Sequence, residues 1–548
     1  MPFDRNSNDN RPRREGRPFR EGRPAGERRD NRPAGDCPPR ADRPARPFNG
    51  DRLQREGRPF NGDRPRRDDR PQIGDRPFRG EGRPSGDRPR GNRPSGPKPA
   101  PKSNVTARDA ALRALGDVVA RGAYASQAID RQLTEANLSP EDRRLATGIF
   151  YAAVENRLKI EHILSPFIKN SPMPVIKAIL HIACAQLLFL DRVPDHAGVD
   201  EAVKQTRRLK GQSVTGFVNA ALRNVIRARD EGTLAAPDAD DRVKYLSIEY
   251  SASEDLVRAL IDAYGEEEAE RICAFRPKEH TQTIRANFMT TSDAELAKYL
   301  EENGIEYTEG NIPRAFACRR PGALAALEGY RKGMYSLQGE SSMLAAYAMQ
   351  VKPGMNVLDA CAAPGGKSAM MCEIMNGTGR VYAWDVHEHR VELIRAAGKR
   401  LRLYNLRHMV RDSRMPYEQF DNLMDAVLVD APCSGLGVIA DKPDIRTRFE
   451  AREIEELIPL QRDILANCAK FVKVGGLLVY STCTILPEEN EKQVRDFLNH
   501  NPNFAPDTDD SWLPEKFRPL MKDGMLQLMQ HRDGIEGFFI ARMRRKCL

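Results

Sequence analysis

Apolar residues at helix spacing mark the first regular stretch of the chain. Ala110, Leu112, Leu115, Val118 and Val119 recur at intervals of three and four, which predicts an amphipathic helix. Ile149-Phe150-Tyr151 and the run Ile176–Leu190 continue the pattern, and Pro166, Pro172, Pro174 and Pro194 fall between the segments as punctuation. Residues 104–232 therefore read as a compact helical domain. The Ile176–Leu190 run is interrupted by His181 and Gln186 and is too short to span a bilayer, so it reads as a buried helix. Over 233–340 helix and strand signals alternate. Thr283–Asn287 reads as a strand and Ala294–Leu300 as a helix, with Asp293–Tyr307 part of a small α+β module. From Val357 onward, apolar strands end in small-residue loops that lead into helices. Carried to the C-terminus, that alternation predicts an open parallel sheet covered by helices on both faces.

Residues 1–103 have no such period. Units such as Gly16-Arg17-Pro18-Phe19 and Asp75-Arg76-Pro77-Phe78 recur with little to bury, so this segment is expected to be a disordered tail. Residues 1–102 hold 28 Lys/Arg against 16 Asp/Glu; the chain as a whole is +9, so residues 103–548 carry a net −3. The basicity thus belongs to the tail. Arginines with interspersed phenylalanines suit phosphates and stacked bases, although a purely solubilising extension has the same composition. The ten cysteines include no C-x-x-C pair, which points away from a zinc site or a disulfide framework. No apolar stretch follows Met1. The expectation is a cytoplasmic monomer without metal or membrane attachment.

Candidate chemistry lies at three strand ends. Val357-Leu358-Asp359 runs into Ala360-Cys361-Ala362-Ala363-Pro364-Gly365-Gly366-Lys367-Ser368, where small residues let backbone approach a ligand at a helix N-terminus. The spacing fits neither G-x-G-x-x-G nor a P-loop. Asp385, closing Val381–Asp385, is placed to accept from ribose hydroxyls. Together these favour a nucleoside-bearing cofactor without a phosphate chain over an ordinary tight turn. A second apolar strand delivers Asp430 and Cys433 in Asp430-Ala431-Pro432-Cys433-Ser434-Gly435, and a third delivers Cys483 in Tyr480-Ser481-Thr482-Cys483-Thr484. One cysteine at a sheet edge is usually packing; two at the same edge point to chemistry.

D-A-C-A-A-P-G-G-K-S, D-A-P-C-S-G-L-G and Y-S-T-C-T resemble the RNA cytosine-C5 methyltransferase family over residues 280–543. Ala107-Arg108 with Ala110-Ala111-Leu112, Asp142-Arg143 and Phe217–Arg223 resemble the NusB-like RNA-binding fold. The combination is similar to the bacterial Sun/RsmB group, and Lys442-Pro443-Asp444-Ile445-Arg446 and Pro487-Glu488-Glu489-Asn490 also fit. The resemblance implies a Rossmann-like α/β catalytic domain at 341–548, preceded by a recognition module at 233–340 and the all-α domain at 104–232. It also implies S-adenosyl-L-methionine as cofactor and a cytosine of small-subunit ribosomal RNA as substrate. Cys483 is then the nucleophile that adds to C6, and Cys433 assists release of the adduct. Asp430, as the acid, hydrogen-bonds the N3 edge, which calls for a raised pKa, and Lys367 lowers the pKa of the thiolate. Cofactor contacts are expected from Cys361, Ala362, Ala363, Pro364, Gly365, Gly366, Lys367, Asp385 and Asp430, with Asp412 at the adenine amino group or, alternatively, a solvated loop acid. Two positions depart from the family. Gln338-Gly339-Glu340-Ser341-Ser342 shifts the acid of a Q-D-x-x-S motif, and Glu536-Gly537-Phe538-Phe539 replaces D-G-F-F. The rival readings are a transfer RNA methyltransferase, a non-catalytic ribosome-assembly factor, and a DNA-type enzyme in which Cys433 attacks.

Overall fold

The computed structural model describes residues 105–191, 193–277, 281–319 and 324–547. The predicted tail lies outside them. The first helix, Ala107–Arg121, begins at a reciprocal cap: Asp109 N donates to Thr106 Oγ1 and Thr106 N to the Asp109 carboxylate, both at 3.2 Å. It stops at Gly122, which takes φ +67°. Leu112, Leu115 and Val118 are buried as expected, whereas Val119 is 46% exposed because the apolar stripe is too narrow to include it. Helix Pro174–Phe189 carries Pro174 in its first turn and buries His181 and Gln186 in the middle of the bundle. Gln186 is satisfied there by Arg108 Nε at 2.7 Å and by Ile182 O at 2.8 Å.

The stretch after Asp230 differs from the alternating reading. Three consecutive helices, Arg242–Tyr250, Glu254–Tyr264 and Glu266–Ala274, precede any strand. Their Leu246, Leu256 and Leu260 pack with Leu436, Ile439 and Ile485, residues that follow the strands ending at Asp430 and Thr482. Next come β1 (Thr281–Ala286), helix Asp293–Glu302, β2 (Glu306–Glu309), β3 (Ala315–Arg319) and β4 (Tyr335–Leu337), which form an antiparallel sheet in the order β2-β3-β1-β4.

The main sheet contains β5 (Asn356–Asp359), β6 (Arg380–Asp385), β7 (Leu406–Val410), β8 (Met424–Asp430), β9 (Val472–Thr482), β10 (Phe504–Pro506), β11 (Met521–Lys522), β12 (Met525–Leu528) and β13 (Phe538–Arg545). Its order is β11-β12-β13-β9-β8-β5-β6-β7, with β10 beside β13. Strands β5 to β9 are parallel, and Val427, Leu428 and Val429 are fully buried between helix layers, as a doubly covered parallel strand requires. The wholly parallel sheet expected from the sequence ends at β9. β13 runs antiparallel to β9, and β12 antiparallel to β13. The link from Leu528 to Phe538 is shorter than the dozen or more residues that a parallel crossover needs. Strand order reverses between β5 and β8, which opens a crevice at their carboxyl ends.

Candidate active site

The turn after β5 closes through Gly365 N donating to Ala362 O and Ala362 N to Trp384 O, both at 2.7 Å. Gly365 has φ +104°, and a Cβ there would lie 3.3 Å from Ile394 Cα, so only glycine fits. Cys361, Ala363, Pro364 and Lys367 face a cavity of about 980 Å³, and Asp385, Asp412, Asp430, Cys433 and Cys483 line it too. Ala362, Gly365 and Gly366 shape the turn without lining the cavity. Asp385 is buried at the end of β6, accepting His387 N at 3.1 Å with Arg390 Nη1 3.4 Å away. Asp412 is engaged by Arg414, whose Nη2 is 2.6 Å distant, and that guanidinium holds its carboxyl below the usual range. The lining fits a nucleoside cofactor, because Asp385 and Asp412 supply the acceptors that a ribose diol and an exocyclic amine require.

The parallel pairing of β8 and β9 places Asp430 opposite Ser481, so the residues just beyond each strand meet. Cys433 Sγ and Cys483 Sγ are 3.3 Å apart. Gly437 N donates to Cys483 O at 2.9 Å, folding the loop after β8 over the second cysteine. The hydrogen bond from Cys433 lowers the Cys483 pKa; burial and Asp430 oppose this, while Lys367 and Lys442 add to it. Lys367 acts in the direction expected from the sequence, behind the neighbouring thiol, burial and Asp430. The Cys433 thiol is pushed up by that same hydrogen bond, then by burial, the charge on Cys483 and Glu489. Both oxygens of Asp430 accept hydrogen bonds, from Lys367 Nζ and from Ser481 Oγ, each at 2.8 Å. Where the sequence suggested an acid ready to donate, Asp430 is here an ion-pair acceptor.

The two departures from the family meet in space. Glu536 Oε2 accepts Ser341 N at 3.1 Å and Ser341 Oγ at 3.0 Å, capping helix Glu340–Ala348. A side chain at residue 339 would collide with Glu536, so Gly339 makes room for it. Glu340 itself turns away to Asn311, accepting Nδ2 at 2.7 Å. The motifs quoted from the sequence include Ser481, Asp359 and Glu489 without assigning them a contact. Asp359, an acid inside an apolar strand, was the detectable signal among them.

A doubly wound sheet with a glycine turn after its first strand, a carboxylate ending the next, and a helical bundle in front defines an S-adenosylmethionine-dependent RNA methyltransferase. Residues 346–544 match the 16S rRNA methyltransferase RsmB/F family, and residues 105–227 match the NusB family. The chain is 38% identical to the probable ribosomal RNA small subunit methyltransferase B of Bacillus subtilis (strain 168), across 81% of this chain and 99% of that protein. It is 31% identical to the probable Synechocystis ribosomal RNA small subunit methyltransferase B, across 80% and 100%. It belongs to the ribosomal RNA small subunit methyltransferase B family. Among solved structures, PH0851 shares 27% identity with a TM-score of 0.69, covering 80% of this chain and 98% of that one.

Proposed function

We propose that the protein methylates C5 of a cytosine in small-subunit (16S) ribosomal RNA through a covalent bond between Cys483 and C6 of the base. The contact that carries this reading is the 3.3 Å approach of two cysteine sulfurs in one cavity with Asp430 and Lys367. C5 of cytosine is a weak nucleophile. Addition of the Cys483 thiolate to C6 makes C5 enamine-like and divides one hard step into easier ones. Bound S-adenosylmethionine supplies the electrophilic methyl group. Asp430, as an acceptor, takes a hydrogen bond from N3–H of the protonated adduct, Lys367 lies beside the thiolate, and Asp385 and Asp412 hold the nucleoside. Release is an elimination: Cys433, having given its own proton to solvent, takes the C5 proton, and the C6–S bond breaks with its electron pair returning to Cys483 as thiolate. The base must leave its stack to enter, which favours an unpaired target. In this reading residues 104–232 engage RNA, 233–340 help present it and 341–548 catalyse. The names of the relatives support the ribosomal substrate over transfer RNA.

With RNA containing 5-fluorocytosine, whose adduct cannot eliminate, Cys483→Ala is expected to abolish the covalent complex. With unmodified RNA, Cys433→Ala is expected to accumulate it. Adduct retained by Cys483→Ala and lost in Cys433→Ala assigns the nucleophile to Cys433 and rejects the scheme. Bisulfite sequencing of a deletion strain identifies the substrate: one 5-methylcytosine lost from small-subunit RNA is expected, and an unchanged ribosomal map points to transfer RNA.

A further inference from the structure

Pro487-Glu488-Glu489-Asn490 lies outside the catalytic strands, yet it grips both cysteines from behind. Glu489 has no exposed surface. Its carboxylate accepts Ser434 N at 2.9 Å, Ser434 Oγ at 2.5 Å and Gln461 Nε2 at 3.0 Å. Gln461 Nε2 also donates to Pro432 O at 3.0 Å, so the residues on either side of Cys433 are tied to this one acid. Ser434 Oγ meets Thr484 Oγ1 at 2.7 Å, which links the residue after Cys433 to the residue after Cys483. Asn490 completes the cradle, accepting Thr482 Oγ1 at 2.5 Å and donating to Thr484 O at 3.0 Å. Among the described residues, no ion pair neutralises Glu489. The cations lie on the other side: Lys367 and Lys442 line the cavity with Cys483. Asp430, Asp441, Glu536, Tyr480 and Cys361 are further titratable groups near the pair, with Asp385, His387, Arg390, Arg411, Asp412 and Arg414 on the rest of the cavity wall.

Once the pair of thiols in contact has lost one proton to solvent, the two sulfurs share the proton that remains, and the surrounding charge decides which sulfur keeps it. We propose that Glu489 is the positioning residue that polarises the pair: it keeps the proton on Cys433 and leaves Cys483 as the thiolate. The proposal rests on the reading that Cys483 is the nucleophile. The three donors to Glu489, Ser434 N, Ser434 Oγ and Gln461 Nε2, call for an acceptor at both oxygens, and the negative charge that such an acceptor carries acts on the neighbouring pair as well. The directions of the two cysteine shifts agree, with Glu489 raising Cys433 and the two lysines lowering Cys483.

The test is limited alkylation of the full chain with iodoacetamide between pH 6 and pH 9, each cysteine being quantified by mass spectrometry. In the wild-type protein Cys483 is expected to react about ten-fold or more faster than Cys433 at neutral pH. In Glu489→Gln that ratio is expected to fall several-fold through a gain at Cys433, with total labelling of the pair maintained. Lys442→Met, at an exposed position, is expected to lower the ratio from the other side by slowing Cys483. It serves as the deciding variant if Glu489→Gln does not fold. A folded Glu489→Gln with an unchanged ratio, or with both cysteines slowed equally, overturns the proposal. So does an unchanged ratio in Lys442→Met when Glu489→Gln is unfolded. Faster labelling of Cys433 in the wild type instead rejects the choice of nucleophile itself.

Discussion

Asp359 ends β5 with no exposed surface, accepting Ser368 Oγ at 2.6 Å through one oxygen. Burial pushes its carboxyl up to about 7. Its unfolded value is near 3.9, so the folded chain binds the proton more tightly than the unfolded chain does. By linkage the cost of the buried charge is complete above pH 7. It is relieved as pH falls through 7 and is gone below about 4. Asp359→Asn is therefore expected to be more stable than the wild type at pH 8, by a few kcal/mol at most, with the gap reduced by more than half at pH 5. Thermal unfolding at both pH values checks this, and a gap independent of pH contradicts it.

Among elements, the tie between β1 and helix Gly366–Ile374 is the one the apolar pattern conceals. Read as alternating, Thr283-Ile284-Arg285-Ala286 turns Arg285 toward solvent. In the fold Arg285 and Glu373 are both fully buried and paired, Nη2 donating to Glu373 Oε1 at 3.0 Å, while Arg285 Nε donates to Gln338 Oε1 at 2.8 Å. Glu373 Oε2 also accepts Phe288 N at 3.1 Å. This pair joins the small antiparallel sheet to the helix that begins at the glycine turn. Arg285→Met leaves a buried carboxylate without its cation and is expected to cost about 3–5 kcal/mol. The double variant Arg285→Met/Glu373→Met is expected to regain most of that. Urea unfolding of the single and double variants measures the difference, and equal losses in both refute the account.

For the molecule as a whole, the short helix Pro443–Arg448 connects the two helical regions to the cavity. Lys442, just before it, lines the cavity. Arg446 donates to Cys273 O at 3.2 Å and Phe275 O at 3.1 Å in the middle helices. Arg448 donates to Val118 O at 3.3 Å and to Ala123 O in the first bundle. Both helical regions thus hold the loop that follows β8. Residues 1–102 carry the chain's excess of arginine, and we propose that they add to RNA binding through charge. Removing residues 1–103 is expected to weaken RNA binding more at low salt than at high salt, since fewer counterions are released. Equal losses at the two salt concentrations reject that contribution.

The chain by itself determined the helices of the first bundle, the strands from Val357 on, and the residues at the ends of β5, β6, β8 and β9. These signals are local. A period of 3.6 or a small-residue turn is written into a dozen neighbouring residues. Tertiary structure decided what those signals face. Cys433 and Cys483 are 50 residues apart in the chain, and only the β8–β9 register brings their sulfurs together. The antiparallel β13, the burial of Arg285, the cap that Glu536 places on Ser341 and the cradle around Glu489 likewise depend on partners distant in sequence. Apolar periodicity specifies that a face is covered, and shape and charge across the core choose what covers it.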